Sequence, residues 1–231
     1  MTLVRRLRQR FLRTPISPFY LARRAIEQAL RDHATYVRGV VLDIGCGHKP
    51  YAALFQCERY VGLDLPSSVA RSRVVDVYAS GLALPFADST FESVVSSEVL
   101  EHVPQPATLL GEIRRVLKPG GHLLLTTPQT WGLHEEPHDY FRYTRYGLTA
   151  LATSVGLEVI VVQPTSGFWV TWAARTADFL FLRHAYNRGL LREAVFGVGV
   201  AVIQVVGRLL DWAYRGRGDT LDNLLVARRP A

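Results

Sequence analysis

The chain has 231 residues, of which 48% are hydrophobic and 20% are charged, and these values fit one globular domain, alone or with an appendage. Its two cysteines are too few for a disulfide framework or a cysteine zinc site, which fits a reducing compartment. The net charge of +7 comes from residues 1–31, which hold eight arginines and one acid. The remainder is neutral, and this excludes a basic nucleic-acid-binding body.

The excess charge lies on a basic arm at the start of the chain. Leu3, Leu7 and Phe11 recur every four residues among the arginines, so a helix would place them on one face. This pattern predicts peripheral contact with an anionic membrane surface, and a helix packed on the body is the alternative. No apolar stretch of signal-peptide type follows. We therefore expect a cytoplasmic protein that can lie on the inner face of the membrane, without a nucleic acid partner.

Apolar runs and helical stretches alternate along the chain after one N-terminal helix. Ser17 and Pro18 are typical of a helix start, and that helix is predicted to end near Asp32. The predicted strands are 40–44, 60–63, 74–76, 93–97, 122–127, 158–163 and 223–228, and the predicted helices between them are 51–56, 107–117 and 146–155. This alternation predicts an α/β fold with a mostly parallel seven-stranded sheet covered by helices on both faces.

Residues 165–220 form an apolar and aromatic insert before the last strand. Two helices are predicted there, 168–184 and 190–214, and the stretch 194–207 is short for a membrane span. Tryptophan, phenylalanine and arginine together are typical of a membrane interface, of a homodimer interface or of core packing, and the three interpretations stay open. The domains are predicted as a basic arm and helix (1–35), an α/β domain (36–164 and 221–231) and a helical insert (165–220).

A loop with two glycines follows the first predicted strand, where open α/β sheets bind their ligands. Gly45 and Gly47 permit a tight turn and close approach of the backbone to a ligand. Asp43 ends the strand before the loop. Asp64 ends the second strand, 19 residues after Gly45, which is the distance at which such folds place a carboxylate for the hydroxyls of a ribose.

The same loop is unsuited to a dinucleotide. Pro50 stands where the dinucleotide fingerprint has its third glycine, and the nearby acid would repel a diphosphate but attract an ammonium. An adenosine that carries a cationic amino-acid tail meets these requirements. The pattern therefore predicts S-adenosylmethionine as the ligand.

Residues 36–164 resemble class I S-adenosylmethionine-dependent methyltransferases, in particular the group often labelled type 11. The resemblance rests on four stretches in family order: VLDIGCG (41–47), YVGLDL (60–65), ALPFADSTFESVVSSEVLEHV (83–103) and EIRRVLKPGGHLLLTTP (112–128). It implies a Rossmann-like methyltransferase fold, from which the helical insert before the last strand departs, because the usual connection there is a short hairpin. It also implies an S-adenosyl-L-methionine cofactor that leaves as S-adenosyl-L-homocysteine.

The resemblance also implies the cofactor-binding residues. Those at the methionine end are Asp43, Gly45, Cys46 and Gly47, those at the ribose are Asp64 and Leu65, and those beneath the sulfonium are Ser97 and Glu98. Ser80 stands where many relatives have an acid for the adenine amino group, and Gly81 can offer its backbone N–H instead. This position is where the chain departs from the family pattern.

Methyl transfer needs a base only when the acceptor must lose a proton. His102 follows the fourth strand, and the polar stretch GLHEEPHDYFRYT at 132–144 follows the fifth. The candidate catalytic residues are His138, His134 and His102, and the candidate substrate-binding residues are His134, His138, Tyr140 and Arg142. A loop that satisfies its own hydrogen bonds is the alternative. His134, His138 and Asp139 match no common metal site in spacing, so no metal is expected.

Similar loops occur in bacterial relatives that look like they act on saccharide or lipid-linked precursors. The Asn-Pro-Pro-Tyr signature of many amino-group methyltransferases is absent from the chain. The resemblance thus implies methyl transfer to a small-molecule or lipid-linked acceptor, on oxygen. A non-catalytic S-adenosylmethionine-binding partner or sensor protein is the first alternative. A nicotinamide-dependent oxidoreductase is the second, and Pro50 disfavours it.

Overall fold

The computed structural model describes residues 14–66, 74–184, 190–214 and 218–231. The described residues form two compact units. The larger unit comprises Ala29–Gln129, Leu133–Gln163 and Asp222–Ala231, and the smaller one comprises the described residues up to Gln28, Thr130–Gly132 and Pro164–Leu221. The apolar face predicted for the basic arm, from Leu3 to Phe11, lies outside the described residues.

The described residues form one seven-stranded sheet. The strands are β1 (Val40–Ile44), β2 (Arg59–Asp64), β3 (Val77–Tyr78), β4 (Phe91–Ser97), β5 (Leu117–Pro128), β6 (Glu158–Pro164) and β7 (Asp222–Arg228). Their order is β3-β2-β1-β4-β5-β7-β6. Strands β1 to β5 pair in parallel, and β7 pairs antiparallel with β5. The predicted α/β class and the mostly parallel sheet are confirmed.

The sheet is buried because its strands are apolar on both faces. Val41, Leu42, Val94 and Leu124 have no exposed surface, as expected for parallel strands covered by helices. Helix α1 is Tyr20–Asp32, α2 is Pro106–Val116 and α3 is Arg145–Ser154. Helix α2 buries four apolar residues at helical spacing, namely Leu109, Leu110, Ile113 and Val116. Truncating any of these leucines to alanine would cost about 2–5 kcal/mol.

The strand order reverses between β1 and β4, and this reversal positions the site. The chain proceeds outward from β1 through β2 to β3 on one side, and from β4 to β5 on the other. The loops that follow β1 and β4 therefore separate at the carboxyl ends of the strands. A crevice at this switch point is where open α/β sheets bind ligands.

The smaller unit contains the two helices of the insert, α4 (Phe168–His184) and α5 (Leu190–Ala213). The side chain of Gln204, on α5, is buried and accepts a hydrogen bond from Leu21 N–H at 3.1 Å. The carboxylate of Asp211 accepts hydrogen bonds from the N–H groups of Gly167 and Trp169, at 3.2 and 3.1 Å. It thus neutralises the amino end of α4.

One helical segment of the described residues, Val195–Ala213, is long and apolar enough to cross a membrane, by length and composition only. The helix predicted at 190–214 agrees with α5, which ends at Ala213. The apolar stretch 194–207, judged short for a membrane span, ends before Arg208. The apolar segment reaches Ala213 because Leu209, Leu210 and Trp212 continue its apolar character past Arg208 and Asp211.

Three predicted elements differ from the structure. Strand β5 begins at Leu117 rather than at residue 122, because Leu117 pairs with Phe91 ahead of a register shift. The helix expected at 51–56 is a single 3-10 turn, Ala52–Leu54, because the buried ring of Phe55 stacks on Tyr60 and turns the chain back into β2. The third strand is Val77–Tyr78 rather than 74–76. The side-chain carboxylate of Asp76 accepts the hydrogen bond from Gly62 N–H, at 2.7 Å. Regular backbone pairing of β3 with β2 therefore begins only at Val77.

Candidate active site

The glycine loop after β1 packs directly against the loop after β4. Gly45 has a φ of +71°, and the N–H groups of Gly45 and Cys46 both donate to the carbonyl of Leu63, at 2.9 and 3.1 Å. A Cβ atom at Gly45 would lie 2.2 Å from Cγ2 of Val99. Only glycine therefore permits both this backbone conformation and this close approach.

The carboxylate of Asp64 joins the end of β2 to the glycine loop. Its Oδ2 accepts a hydrogen bond from Gly47 N–H at 2.9 Å, and its Oδ1 accepts one from Leu65 N–H at 2.8 Å. The residue is buried, yet it contributes to the wall of an open cleft. Since an ionised carboxylate has about four acceptor sites, Asp64 can also accept from the hydroxyls of a ligand.

The cleft at the switch point contains about 550 Å³ of space, part of which is open to solvent. Its lining residues are Ile44, Gly45, Leu63, Asp64, Leu65, Ala79, Ser80, Gly81, Leu82, Val99, His102, Val103, Pro104 and Leu109. Five predicted cofactor residues belong to this lining: Gly45, Asp64, Leu65, Ser80 and Gly81. The apolar walls beside a carboxylate fit an adenosine, whose base is flat and apolar and whose ribose donates hydrogen bonds.

The other five predicted cofactor residues lie outside that lining, namely Asp43, Cys46, Gly47, Ser97 and Glu98. Asp43 is buried in β1, where Tyr60 Oη donates to its Oδ2 at 2.9 Å. Burial raises the pKa of Asp43 to about 7, although the hydrogen bond from Tyr60 and the charge of Lys49 act to lower it. An ammonium group nearby would favour its ionised form. Burial also raises the pKa of the Cys46 thiol to about 12, so this side chain stays neutral and packs.

Lys49 is a residue that sequence reasoning missed. Its Nζ contacts Oδ2 of Asp76 at 2.5 Å. Burial would raise the pKa of Asp76, but the hydrogen bonds from Gly62 N–H and Lys49 outweigh it and lower that pKa. The side chain of Asp76 stays half exposed while it binds these two partners. The only signal for Lys49 was its position two residues after the glycine pair.

A buried polar cluster follows β4. Ser97 Oγ lies 2.8 Å from Oγ1 of Thr126. Glu98 adopts a φ of +56°, and burial raises its pKa to about 7 although Thr126 and Asp222 hydrogen-bond to it. Glu101 is fully buried, and burial together with the charge of Glu98 raises its pKa well above the ordinary value. Sequence reasoning named Glu98 and missed Glu101.

The three candidate histidines occupy different places. His102 lines the cleft, its Nδ1 lies 2.7 Å from the carbonyl oxygen of His138, and its Nε2 lies 3.6 Å from Oε1 of Glu101. The ring of His134 meets that of His102 edge to face, with centroids 4.7 Å apart. The side chain of His138 is exposed and contacts the hydroxyl of Tyr140 at 3.2 Å. The structure thus brings two of these histidines together at the cleft and leaves the third outside it.

The loop after β5 supplies much of its own hydrogen bonding, as the alternative interpretation predicted. Arg142 donates through Nη1 and Nη2 to the two carboxylate oxygens of Asp139, at 2.6 and 2.7 Å. These hydrogen bonds lower the pKa of Asp139 strongly, against the effect of its burial. The backbone N–H of Tyr140 donates to the carbonyl of Glu101 at 2.9 Å, which holds the loop over the polar cluster.

Comparisons with known proteins identify the family of this chain. The methyltransferase domain family known as Methyltransf_11 matches residues 42–125. An uncharacterised methyltransferase of Mycolicibacterium paratuberculosis is 32% identical over 200 residues, covering 74% of this chain and 77% of that protein. Another from Mycobacterium leprae is 41% identical over 160 residues, which cover 59% of this chain and 58% of the relative's own length.

Solved structures show the same fold. The [4+2]-cyclase SpnF has a TM-score of 0.58 and 19% identity, over 89% of this chain and 81% of that one. Phosphoethanolamine N-methyltransferase 2 of Haemonchus contortus, solved in complex with S-adenosyl-L-methionine, has a TM-score of 0.53 and 18% identity, over 96% of this chain and 59% of that one.

The fold is that of an S-adenosylmethionine-dependent methyltransferase domain. The chain belongs to the methyltransferase family whose domain carries the type 11 label. The resemblance inferred from the four sequence stretches is therefore confirmed, and so is S-adenosylmethionine as the cofactor of the family.

Proposed function

We propose that the protein transfers the methyl group of S-adenosylmethionine to a hydroxyl oxygen of a small-molecule or lipid-linked acceptor, with a saccharide as one candidate. The observation that carries this proposal is the cleft between Asp64 and His102. One end offers a carboxylate for a ribose. The other end offers an imidazole within 3.6 Å of a buried carboxyl.

On the cofactor side, Asp64 accepts hydrogen bonds from the ribose hydroxyls, and the ammonium of the methionine tail lies toward Asp43. Ser80 and Gly81 lie in the same lining and meet the adenine edge. Cys46 and Gly47 shape the loop, while Ser97 and Glu98 stand behind it at the end of β4. The supporting observation is that Asp43, buried with a pKa near 7, is a carboxyl that a fixed ammonium would keep charged.

On the acceptor side, an oxygen is favoured because a hydroxyl must lose a proton during transfer, and the cleft offers the imidazole of His102 to accept it. Its oxygen attacks the methyl carbon, the carbon–sulfur bond breaks, and the sulfonium becomes a neutral thioether. His102 is placed to take the hydroxyl proton on Nε2, with Glu101 beside it to stabilise the imidazolium. Tyr140, Arg142, His134 and His138 stand in the loop above the polar cluster as candidate contacts to the acceptor.

An exposed apolar row on α5 supports a lipid-linked acceptor. The row consists of Val195, Val198, Val202, Val205, Leu209 and Trp212, each at least 49% exposed. Their spacing of three and four residues places them on one face of the helix. We propose that this face lies on an anionic membrane surface, to which the basic arm of the chain adds positive charge. The alternative is that the same face forms a homodimer. Sedimentation with vesicles distinguishes membrane contact from this alternative.

The experiment is methyl transfer from tritiated S-adenosylmethionine into a bacterial extract that is then split into organic and aqueous phases. Asp64→Ala protein is the blank. Label in the organic phase above the blank is the expected result for a lipid-linked acceptor. Label in the aqueous phase alone would restrict the proposal to a small polar acceptor. Equal label with wild-type and Asp64→Ala protein would contradict catalysis by this cleft.

A further inference from the structure

Three side chains beside the cleft converge on one point. The Oε1 atom of Glu101 lies 3.6 Å from Nε2 of His102 and 3.9 Å from Nε2 of His134. One ligand atom from each residue lies within 4.8 Å of the other two. Glu101 has no exposed surface, and its Oε1 accepts no hydrogen bond from the described residues. A buried carboxyl oxygen in that state is stabilised either by a proton or by a cation.

The Nδ1 atoms of both rings lie near hydrogen-bond acceptors. Nδ1 of His102 donates to the carbonyl of His138 at 2.7 Å, so its Nε2 carries the lone pair that faces Glu101. Nδ1 of His134 lies 3.4 Å from Oδ2 of Asp139 and 3.5 Å from Nη2 of Arg142. Because a guanidinium only donates, Nδ1 of His134 accepts in its contact with Arg142. In the tautomer that binds an ion through Nε2, Oδ2 of Asp139 would be the acceptor for His134 Nδ1–H. His102 already shows the arrangement of metal-binding histidines, in which Nδ1–H donates to a carbonyl or carboxylate and Nε2 binds the ion.

We propose that Glu101, His102 and His134 form a binding site for a divalent transition-metal cation, held by Oε1 of the glutamate and Nε2 of each histidine. Two imidazoles with one carboxylate favour zinc, cobalt, iron or manganese over magnesium, which prefers oxygen ligands. Two atoms bound about 2.1 Å from a tetrahedral ion are roughly 3.4 Å apart. The observed separations of 3.6 and 3.9 Å exceed this by a few tenths of an ångström.

A second carboxyl lies near Glu101. Oε1 of Glu98 is also buried without a hydrogen-bond partner among the described residues. A dication between the rings would favour the ionised form of both carboxyls. Sequence reasoning expected no metal because it considered His134, His138 and Asp139. The structure pairs Asp139 with Arg142 and turns the His138 ring toward Tyr140.

The position of the site gives the ion a role in the proposed methyl transfer, and this role rests on the proposed function. His102 lines the cleft, so an ion on its Nε2 lies at the acceptor end. Three protein ligands leave a coordination position open for an acceptor hydroxyl, whose pKa the ion would lower. Such an ion would take the place of the imidazole as the group that makes the oxygen nucleophilic.

The test measures Co²⁺ binding to chelator-treated, full-length protein by titration calorimetry and by the visible absorption of the bound ion, without cofactor or acceptor. Wild-type protein is expected to bind one Co²⁺ per chain. His134→Ala and the nearly isosteric Glu101→Gln are each expected to weaken binding at least tenfold. His138→Ala is the matched control, because it removes an exposed histidine of the same loop and keeps the carbonyl that His102 uses. It is expected to bind like wild type.

Two results would overturn the site: no Co²⁺ binding by wild-type protein, or equal binding by wild type, His134→Ala and Glu101→Gln. Circular dichroism of each variant shows that it is folded before its binding is compared. A protein that transfers methyl groups but binds no Co²⁺ would refute the cation site alone. A protein that binds Co²⁺ through these residues but transfers no methyl group would refute the proposed activity alone.

Discussion

The backbone N–H of Gly47 donates a hydrogen bond to Oδ2 of Asp64 at 2.9 Å. This bond connects the loop after β1 with the end of β2, beside the cleft that Asp64 lines. The carboxylate is therefore oriented before any ligand arrives, and less conformational entropy is lost on binding. A pre-oriented acceptor of this kind is what recognition of a ribose requires.

Gly45→Ala and Gly47→Ala should differ in effect, although both glycines have positive φ angles of +71° and +50°. At Gly47 a Cβ meets nothing within 4 Å, so alanine adds only left-handed strain of about 1–2 kcal/mol. At Gly45 the same strain adds to a contact of 2.2 Å with Val99. Urea denaturation should show the larger loss for Gly45→Ala. Equal losses would show that the two loops do not pack as described.

Asp43 should make stability depend on pH in a predictable direction. Its pKa is about 7 in the folded protein and near 3.8 in an unfolded chain, because burial disfavours the charge. Between these values the folded state binds more protons, so the free energy of unfolding falls as the pH rises from about 4 to about 7. Asp43→Asn should reduce that fall, as measured by urea denaturation at both ends of the range. The same slope in wild type and variant would contradict the prediction.

Asp211 should stabilise the smaller unit by capping α4. Its carboxylate accepts hydrogen bonds from the N–H groups of Gly167 and Trp169. Asp211→Ala removes both acceptors and the favourable charge, and we expect a loss of about 1 kcal/mol in guanidinium denaturation. Asp211→Asn keeps one acceptor oxygen and should lose less. A larger loss of stability for Asp211→Asn than for Asp211→Ala would argue against capping.

The exposed row on α5 should govern sedimentation with anionic vesicles of phosphatidylcholine and phosphatidylglycerol. The double variant Val202→Glu, Leu209→Glu changes two residues that are 56% and 59% exposed. It places charge in the middle of the row and should reduce the pelleted fraction severalfold. Val74→Glu is the control, since Val74 is an exposed valine of the larger unit. Unchanged pelleting with a lower oligomeric state in the double variant would assign the row to a homodimer instead.

The sheet was predictable because its strands are local features of the sequence. A buried parallel strand is a short, continuous apolar run, and "VVLDI" or "HLLLTT" shows this without knowledge of the neighbours. The short turn at Ala52–Leu54 was not predictable in the same way, because it depends on the stacking of Phe55 on Tyr60. Six residues with helical character are too few to resist such a tertiary contact.

The cofactor side of the site was also more accessible to sequence reasoning than the acceptor side. Gly45 and Asp64 follow strands at a set spacing, so their proximity follows from the sheet. Glu101 and His134 are 33 positions apart in the sequence, and they meet because the loop after β5 returns to hydrogen-bond with the segment after β4. No local pattern marks Glu101 as buried, because an isolated glutamate is ordinarily exposed.

The measurement that tests the central claim most directly is the affinity for S-adenosylmethionine of wild-type, Asp64→Asn and Asp88→Asn protein by titration calorimetry. Asp88 is an exposed acid paired with Arg115, and its change controls for lost charge. We expect wild-type and Asp88→Asn protein to bind one cofactor with equal affinity. Asp64→Asn should lose at least about 1.5 kcal/mol, or roughly tenfold, because charge-assisted hydrogen bonds become neutral ones. Equal affinity in all three proteins would contradict the assignment of this cleft to the cofactor.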